Sequence, residues 1–256
     1  MDDICMRADS FEGFLDLFNV VLSRLACAGI SLKGAKCELL LPAMDLLGFS
    51  ATPHGLYMQQ PKLQDMMRTG IPSTAEEIRT FLGCVNFCRR WIPRLSLLGA
   101  PMTAILKRAD KLTAKAKTLG RRSGGGYIFS DSDHDDARQA FEAITAHLSS
   151  DAVMSVPDFE DPLAEFVLCT DACDIAVGGS LMQWQFPGGK GPGPPPGANA
   201  RNMESPDPLN KSWRIEAGWE LKMIGYYSKT LVEAQKHYTA FDKEAGAVLL
   251  CVRHWS

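Results

Sequence analysis

Apolar positions along the chain keep two rhythms, one of three and four residues and one of short continuous runs, and these divide it into helices and strands. Phe11, Phe14, Leu15, Phe18, Val21, Leu22 and Leu25 share one face at 100° per residue, which predicts an amphipathic helix ended by Gly29. Leu39 to Leu41 and Leu46 to Ala51 read as short strands joined through Pro42, with Gly55 closing the next turn. Ser73 and Glu76 form a capping box ahead of a helix striped by Ile78, Phe81, Leu82 and Val85. Pro101 to Lys107 predicts another short helix, and Asp133 to Leu148 a longer one with Ala137, Phe141, Ile144 and Leu148 inward. The rhythm then changes. Phe166 to Cys169 reads as a buried strand, Ala172 to Ala176 as a turn and Val177 to Met182 as the returning strand, so a β-hairpin results. Met223 to Ser228 supplies a third strand, and Thr239 with Asp242 caps a final helix. With Phe241 at zero, Tyr238, Ala245, Val248, Leu249, Val252 and Trp255 fall in an arc from about −40° to +80°, which predicts the inward face; Glu244 borders it at about −60°.

Helices and strands grouped in this way give an α+β protein. Its 256 residues suggest two compact units at about 150 residues each. No run of about 18 apolar residues suggests a membrane span, and Met1 is followed by two aspartates instead of a basic stretch and an apolar core. An intracellular protein with no membrane partner is expected, without a choice between cytoplasm and nucleus. The eight cysteines lack a metal-ligand spacing with histidine and read as reduced thiols serving as small apolar residues. Pro187 to Gly197 is rich in Pro and Gly, and weakly ordered sequence is expected to continue to about Trp219, which predicts a disordered insertion over about 185–220.

Charge is divided unevenly. Residues 61–126 carry 13 Lys/Arg against 4 Asp/Glu, net +9, whereas residues 127–174 carry 1 against 12, net −11. Only the first stretch suits a polyanion such as a nucleic-acid backbone. Within it, Lys107 to Arg122 carries seven basic residues and one acid before Gly124-Gly125-Gly126, and reads as a flexible basic loop. Asp171, at the end of the apolar run from Phe166, is the chain's most anomalous residue. A carboxylate inside a sheet needs a metal, a cation or a donor, whereas one that starts a turn sits in water; the pattern alone leaves both open.

A resemblance adds to this reading. Thr170-Asp171-Ala172 with Gly178 and Leu181 resembles the first strand of the RNase H domain in reverse transcriptases of gypsy-type LTR retrotransposons. Four further blocks agree in order: Met1-Asp2-Asp3; Lys36-Cys37-Glu38 with Leu47-Gly48-Phe49; Ile78 to Gly83 with Asn86 to Pro93; and Tyr227 to Leu231 with Lys243-Glu244. The resemblance implies the end of a polymerase palm over 1–60, a thumb and basic loop over 61–126, and an incomplete RNase H-like domain over 127–256, with a three-strand antiparallel sheet plus helix. It implies that Asp2 and Asp3 are the paired carboxylates of the polymerase turn, and that Asp171 and Glu244 share a metal in the RNase H site, with Mg2+ as the cofactor. Lys36 belongs to a block whose lysine is proposed to protonate pyrophosphate. Arg89, Arg90 and Arg94 look like phosphate contacts on an RNA–DNA hybrid or template-primer duplex. Each catalytic set is partial, so the expectation is a fragment of an RNA-directed DNA polymerase with RNase H domain that is inactive alone; the alternative is a non-catalytic nucleic-acid-binding remnant.

Overall fold

In the computed structural model, residues 4–6, 8, 10–52, 55–118, 127–148, 153–187, 189–193 and 212–256 are described. The chain forms two compact units, Met1–Pro42 and Ala43–Ser256. The first holds helix α1 (Phe11–Cys27), capped by Ser10, whose hydroxyl accepts from the Gly13 N–H at 3.0 Å; Gly29 follows at φ 71°. Phe14 and Phe18 stack along it at 5.7 Å, but none of its residues is buried.

The second unit opens with an antiparallel sheet of β1 (Met44–Leu46), β2 (Phe49–Thr52) and β3 (Gly55–Met58), in that order. Leu47 and Gly48, at φ 52° and 85°, make the two-residue turn between β1 and β2. Positive φ at both positions matches the twist of the flanking strands. The strand expected over Leu46 to Ala51 is thus divided by a turn that an apolar Leu-Gly pair conceals. No strand forms at Leu39 to Leu41, where Leu40 has φ 56° and is exposed. Gly55, at φ 137°, lets β3 lie against Met154, since a Cβ there would come within 2.7 Å of the Met154 carbonyl oxygen. Leu56 and Met154 exchange both backbone hydrogen bonds.

Helices α2 (Gln60–Arg68), α3 (Ala75–Phe87), α4 (Leu95–Leu98), α5 (Ala100–Thr118) and α6 (Asp131–Leu148) follow, with a 3-10 turn at Arg89–Trp91. The cap of α3 lies one residue beyond the expected Ser73/Glu76 box. Thr74 Oγ1 accepts from the Glu77 N–H at 3.2 Å, and the Glu77 carboxylate accepts from the Ser73 N–H at 2.7 Å. The expected break at Lys107 is also corrected, because α5 continues through the basic stretch to Thr118. Alanines and long straight side chains favour helix there, and Ile105 and Ala109 are buried. Ile78, Phe81 and Val85 of α3, Met102 and Ile105 of α5, and Ala137 and Ile144 of α6 build the main core.

The second sheet, β4 (Phe166–Ala172), β5 (Ala176–Gln185) and β6 (Glu220–Thr230), is antiparallel in that order. It is accompanied by α7 (Ser212–Glu216), α8 (Glu233–Lys236) and α9 (Ala240–Trp255). The expected insertion of about 185–220 is ordered at both feet, while residues 194–211 lie outside the described residues. Trp219 is buried and donates from Nε1 to the Pro192 carbonyl at 3.2 Å, and the Gly191 N–H donates to Asp161 at 3.0 Å. The Arg214 guanidinium lies 4.9 Å from the Trp219 ring and 6.0 Å from Trp184, and it donates to the Leu163 carbonyl and the Glu165 carboxylate. Contrary to expectation, these feet contribute to a core, formed with Ala164, Val167 and Trp184.

Candidate nucleic-acid interface

The two faces of the second sheet have different neighbours, and β5 reveals them through adjacent glycines. A Cβ on Gly179 would meet Cys251 Sγ of α9 at 2.5 Å, whereas one on Gly178 would lie 3.9 Å from Arg94 Cγ. Successive strand residues point to opposite faces. So α9 covers one face, while α4 meets the Gly178–Ser228 face from the other side and the 3-10 turn packs along β6.

Arg89, Arg90 and Arg94 all serve this contact. Arg89 donates to the Ser228 carbonyl at 3.0 Å and lies 5.4 Å from the Tyr227 ring centroid, which also stacks on His254 at 4.4 Å. Burial first and the Arg89 charge second lower the His254 pKa, so that imidazole favours its neutral form. Arg90 Nε donates to the Ile224 carbonyl at 2.8 Å, and its stem crosses Gly225, where a Cβ would approach Arg90 Cγ to 2.9 Å. Desolvation lowers the Arg90 pKa. Ser228 Oγ accepts from the Ser96 N–H at 2.9 Å, fastening the start of α4 to β6. Arg94 donates to Asp171 Oδ2 at 3.1 Å. Sequence reasoning assigned these cations to a ligand's phosphates; the structure gives each one a partner inside the protein.

Asp171 pairs across the ladder with Gly178 and therefore lies on the Arg94 side of the sheet. Glu244 is exposed on α9, which packs on the other side through Ala247 and Cys251. Of the two carboxylates expected to meet across the strand-helix contact, Asp171 is bonded to Arg94 and Glu244 flanks Lys243, which reaches Asp174. Among the described residues no three His, Cys, Asp or Glu side chains gather as a metal site. Asp2 and Asp3 lie outside the described residues. Lys36 ends the 3-10 turn Gly34–Lys36 of the first unit and is exposed.

The expected inward face of α9 is also reversed. Phe241 is 81% exposed, and Tyr238, Val248, Leu249 and Val252 are exposed too. Lys243, Ala247 and Cys251 face inward, because Gly179 of β5 lets the helix approach so closely that a Cβ there would meet Cys251 Sγ at 2.5 Å. Lys243 is buried but reaches Asp174 Oδ1 at 2.7 Å, so its charge is paired while its stem packs.

The outward face of α3 is of a different kind. Thr80, Gly83, Cys84, Asn86 and Phe87 are exposed beside the charged pair Glu76 and Arg79, and nothing lies within 4 Å of where a Gly83 Cβ would stand. Phe87 stacks on Phe49 at 4.7 Å, and Phe49 on Trp91 at 4.8 Å, which fixes the hairpin tip at Leu47-Gly48 to the end of α3. Gln183, missed by the sequence reading, is fully buried in β5 and ties Asp158 and Ala164 to the sheet by donating to both carbonyls, at 2.6 and 2.9 Å. Its signal was an amide set between Met182 and Trp184.

This α+β arrangement, a hairpin and helical layer joined to a three-strand sheet, is the fold of reverse transcriptases with their RNase H-like regions. Superposed on the foamy viral protease-reverse transcriptase in complex with RNA/DNA hybrid, the chain gives a TM-score of 0.63 at 18% identity, covering 97% of this chain and 27% of that one. The same viral protein in complex with dsDNA gives 0.63 at 17% identity, covering 96% and 40%. By sequence the chain is similar to the retrovirus-related Pol polyprotein from transposon 297 of Drosophila melanogaster, with 31% identity over 249 residues, 97% of this chain and 18% of the relative. It is 26% identical over 255 residues to the Tf2-3 transposon polyprotein of Schizosaccharomyces pombe, covering 100% of this chain and 15% of the relative. The chain thus spans less than a fifth of the length of these retrotransposon polyproteins. No family model matches it.

Proposed function

We propose that this chain is the duplex-gripping portion of a gypsy-type LTR retrotransposon reverse transcriptase. In this reading residues 1–60 end the palm, 61–126 form the thumb and 127–256 belong to an RNase H-like domain. Its ligand is an RNA–DNA hybrid or a template-primer duplex. The observation that carries the reading is the outward face of α3. An exposed glycine inside a helix costs about 1 kcal/mol relative to alanine. Gly83 sits in open space, with Thr80, Asn86 and Phe87 beside it and the exposed Arg79 one turn before, an arrangement that gains if another surface, an anionic one included, approaches the helix closely. A nucleic-acid groove is such a surface, and the structural neighbours were captured with nucleic-acid duplexes.

Of the two roles open to such a segment, non-catalytic binding is favoured over hydrolysis by this chain alone. Asp171 is paired with Arg94 and Glu244 is exposed on α9, which supports binding as the role of this segment. A Mg2+ requirement belongs to the whole polyprotein in this reading.

The test is fluorescence anisotropy with labelled hybrid and duplex DNA across a salt series. Wild-type protein should bind, with log affinity falling linearly against log salt. Gly83→Leu should raise the melting temperature, because Leu favours helix by up to about 1 kcal/mol over Gly, while weakening duplex binding by about tenfold or more, a loss of about 1.4 kcal/mol. Unchanged binding by this stabilised variant would remove α3 from the interface.

A further inference from the structure

We propose that Asp171 is an internal competitor for Arg94, its carboxylate holding the guanidinium in the place a nucleic-acid phosphate takes, so that duplex binding must break the ion pair. The proposal rests on the duplex-binding reading and adds a regulatory contact to it. Arg89 and Arg90 are committed to backbone carbonyls of β6 at the sheet contact. Arg94 differs. Its side chain is 66% exposed and that of Asp171 is 62% exposed, so the pair is solvent-screened and exchangeable.

The backbone is arranged to bring these two groups together. Arg94 follows Pro93 and precedes α4 in the left-handed region, at φ 51° and ψ 33°, where a side chain other than glycine is strained. That turn carries the arginine over Gly178, and Asp171 is the residue directly across the ladder from Gly178. The other carboxylate near the hairpin turn, Asp174, is already engaged by Lys243. Guanidinium accepts a carboxylate or a phosphate through the same planar fork of donors. A duplex, however, presents many phosphates and releases counterions on binding. A single exposed carboxylate therefore suffices to occupy Arg94 in the free protein but yields to a polyanion.

A double-mutant cycle on the full chain tests this, with anisotropy on a labelled DNA duplex at fixed low salt and circular dichroism to follow folding. Asp171→Asn should tighten binding by up to about fivefold, the range of an exposed ion pair. Arg94→Gln should weaken binding and flatten the salt slope by about 0.9, one phosphate contact. Added to Arg94→Gln, Asp171→Asn should then change nothing. Equal tightening in both backgrounds would mean a general charge effect and overturn the proposal, as would no tightening. Should a variant fail to fold, the wild-type Arg94 Nε–H resonance decides: it should shift when duplex is added, and a fixed resonance overturns the proposal. Wild-type protein that binds no duplex by anisotropy would remove the underlying reading and this proposal together, whereas binding without coupling removes this proposal alone.

Discussion

Asp133 is 1% exposed yet charged, because donors converge on it from three directions. Burial by itself would raise its pKa, but the Ser130 N–H at 2.9 Å, the Tyr127 hydroxyl at 2.8 Å and the Arg108 guanidinium outweigh burial and hold the carboxyl well below the usual range. Its own N–H donates to Ser130 Oγ, so the pair caps α6 reciprocally. A depressed folded value means that the stabilisation is present in full above the unfolded carboxyl value of about 3.9 and is lost as pH falls below it towards the folded value. Asp133→Ala should cost about 2–4 kcal/mol at neutral pH. Below pH 4 the difference between wild type and variant should shrink; thermal melts across that range check both statements. The sequence offered the helix but not this network, since neither Tyr127 nor Arg108 is within one helical turn of Asp133. Arg89, Arg90 and Arg94 were conspicuous for their charge, but nothing local reveals that carbonyls of β6, more than 130 residues away, receive two of them.

Among the elements, those with strong local rhythm were legible: α1, α3, α6 and the three strands of the second sheet stand where spacing placed them, give or take a turn. Errors arose where distant packing decided. The face of α9 is the clearest case, since the bulkiest apolar arc is exposed and the arc with Ala247 and Cys251 is inside. Hydrophobicity ranks Phe241 and Leu249 above Ala247, but Gly179 sets how closely the helix lies and excludes anything large. Gly179→Val should therefore push α9 from the sheet. We expect a loss of at least about 2–3 kcal/mol in denaturant unfolding, typical of overpacked sites, together with new thiol reactivity at Cys251, which is buried and whose pKa is raised by that burial. A variant with an unchanged midpoint and an unreactive Cys251 would show that the close approach matters little.

At the scale of the whole molecule, both faces of the second sheet are occupied, and the side bearing Asp171 faces the helical layer. The sequence could not show this, because strand alternation puts Asp171 on one face or the other according to a register that only pairing with Gly178 fixes. The consequence for activity is direct. Incubated with an RNA–DNA hybrid and magnesium, the chain should retain the hybrid on a gel without shortening its RNA strand; cleavage abolished by Asp171→Asn would refute that expectation. No helix among the described residues is long and apolar enough to cross a membrane.

The clamp around Trp219 has a different implication, for how such a chain can change length. Pro192 and Trp219 are joined by a hydrogen bond, and Gly191 has no Cβ because the Trp219 ring would lie 2.4 Å from it. Next to these feet, β5 and β6 pair from Gln185–Glu220 to Ala176–Thr230. The clamp is thus a seam: it fixes two chain ends at the sheet, and the entropy of closing a segment between fixed ends grows only slowly with its length. A reporter domain spliced between Pro192 and Ser212 should ride on the protein as a passenger.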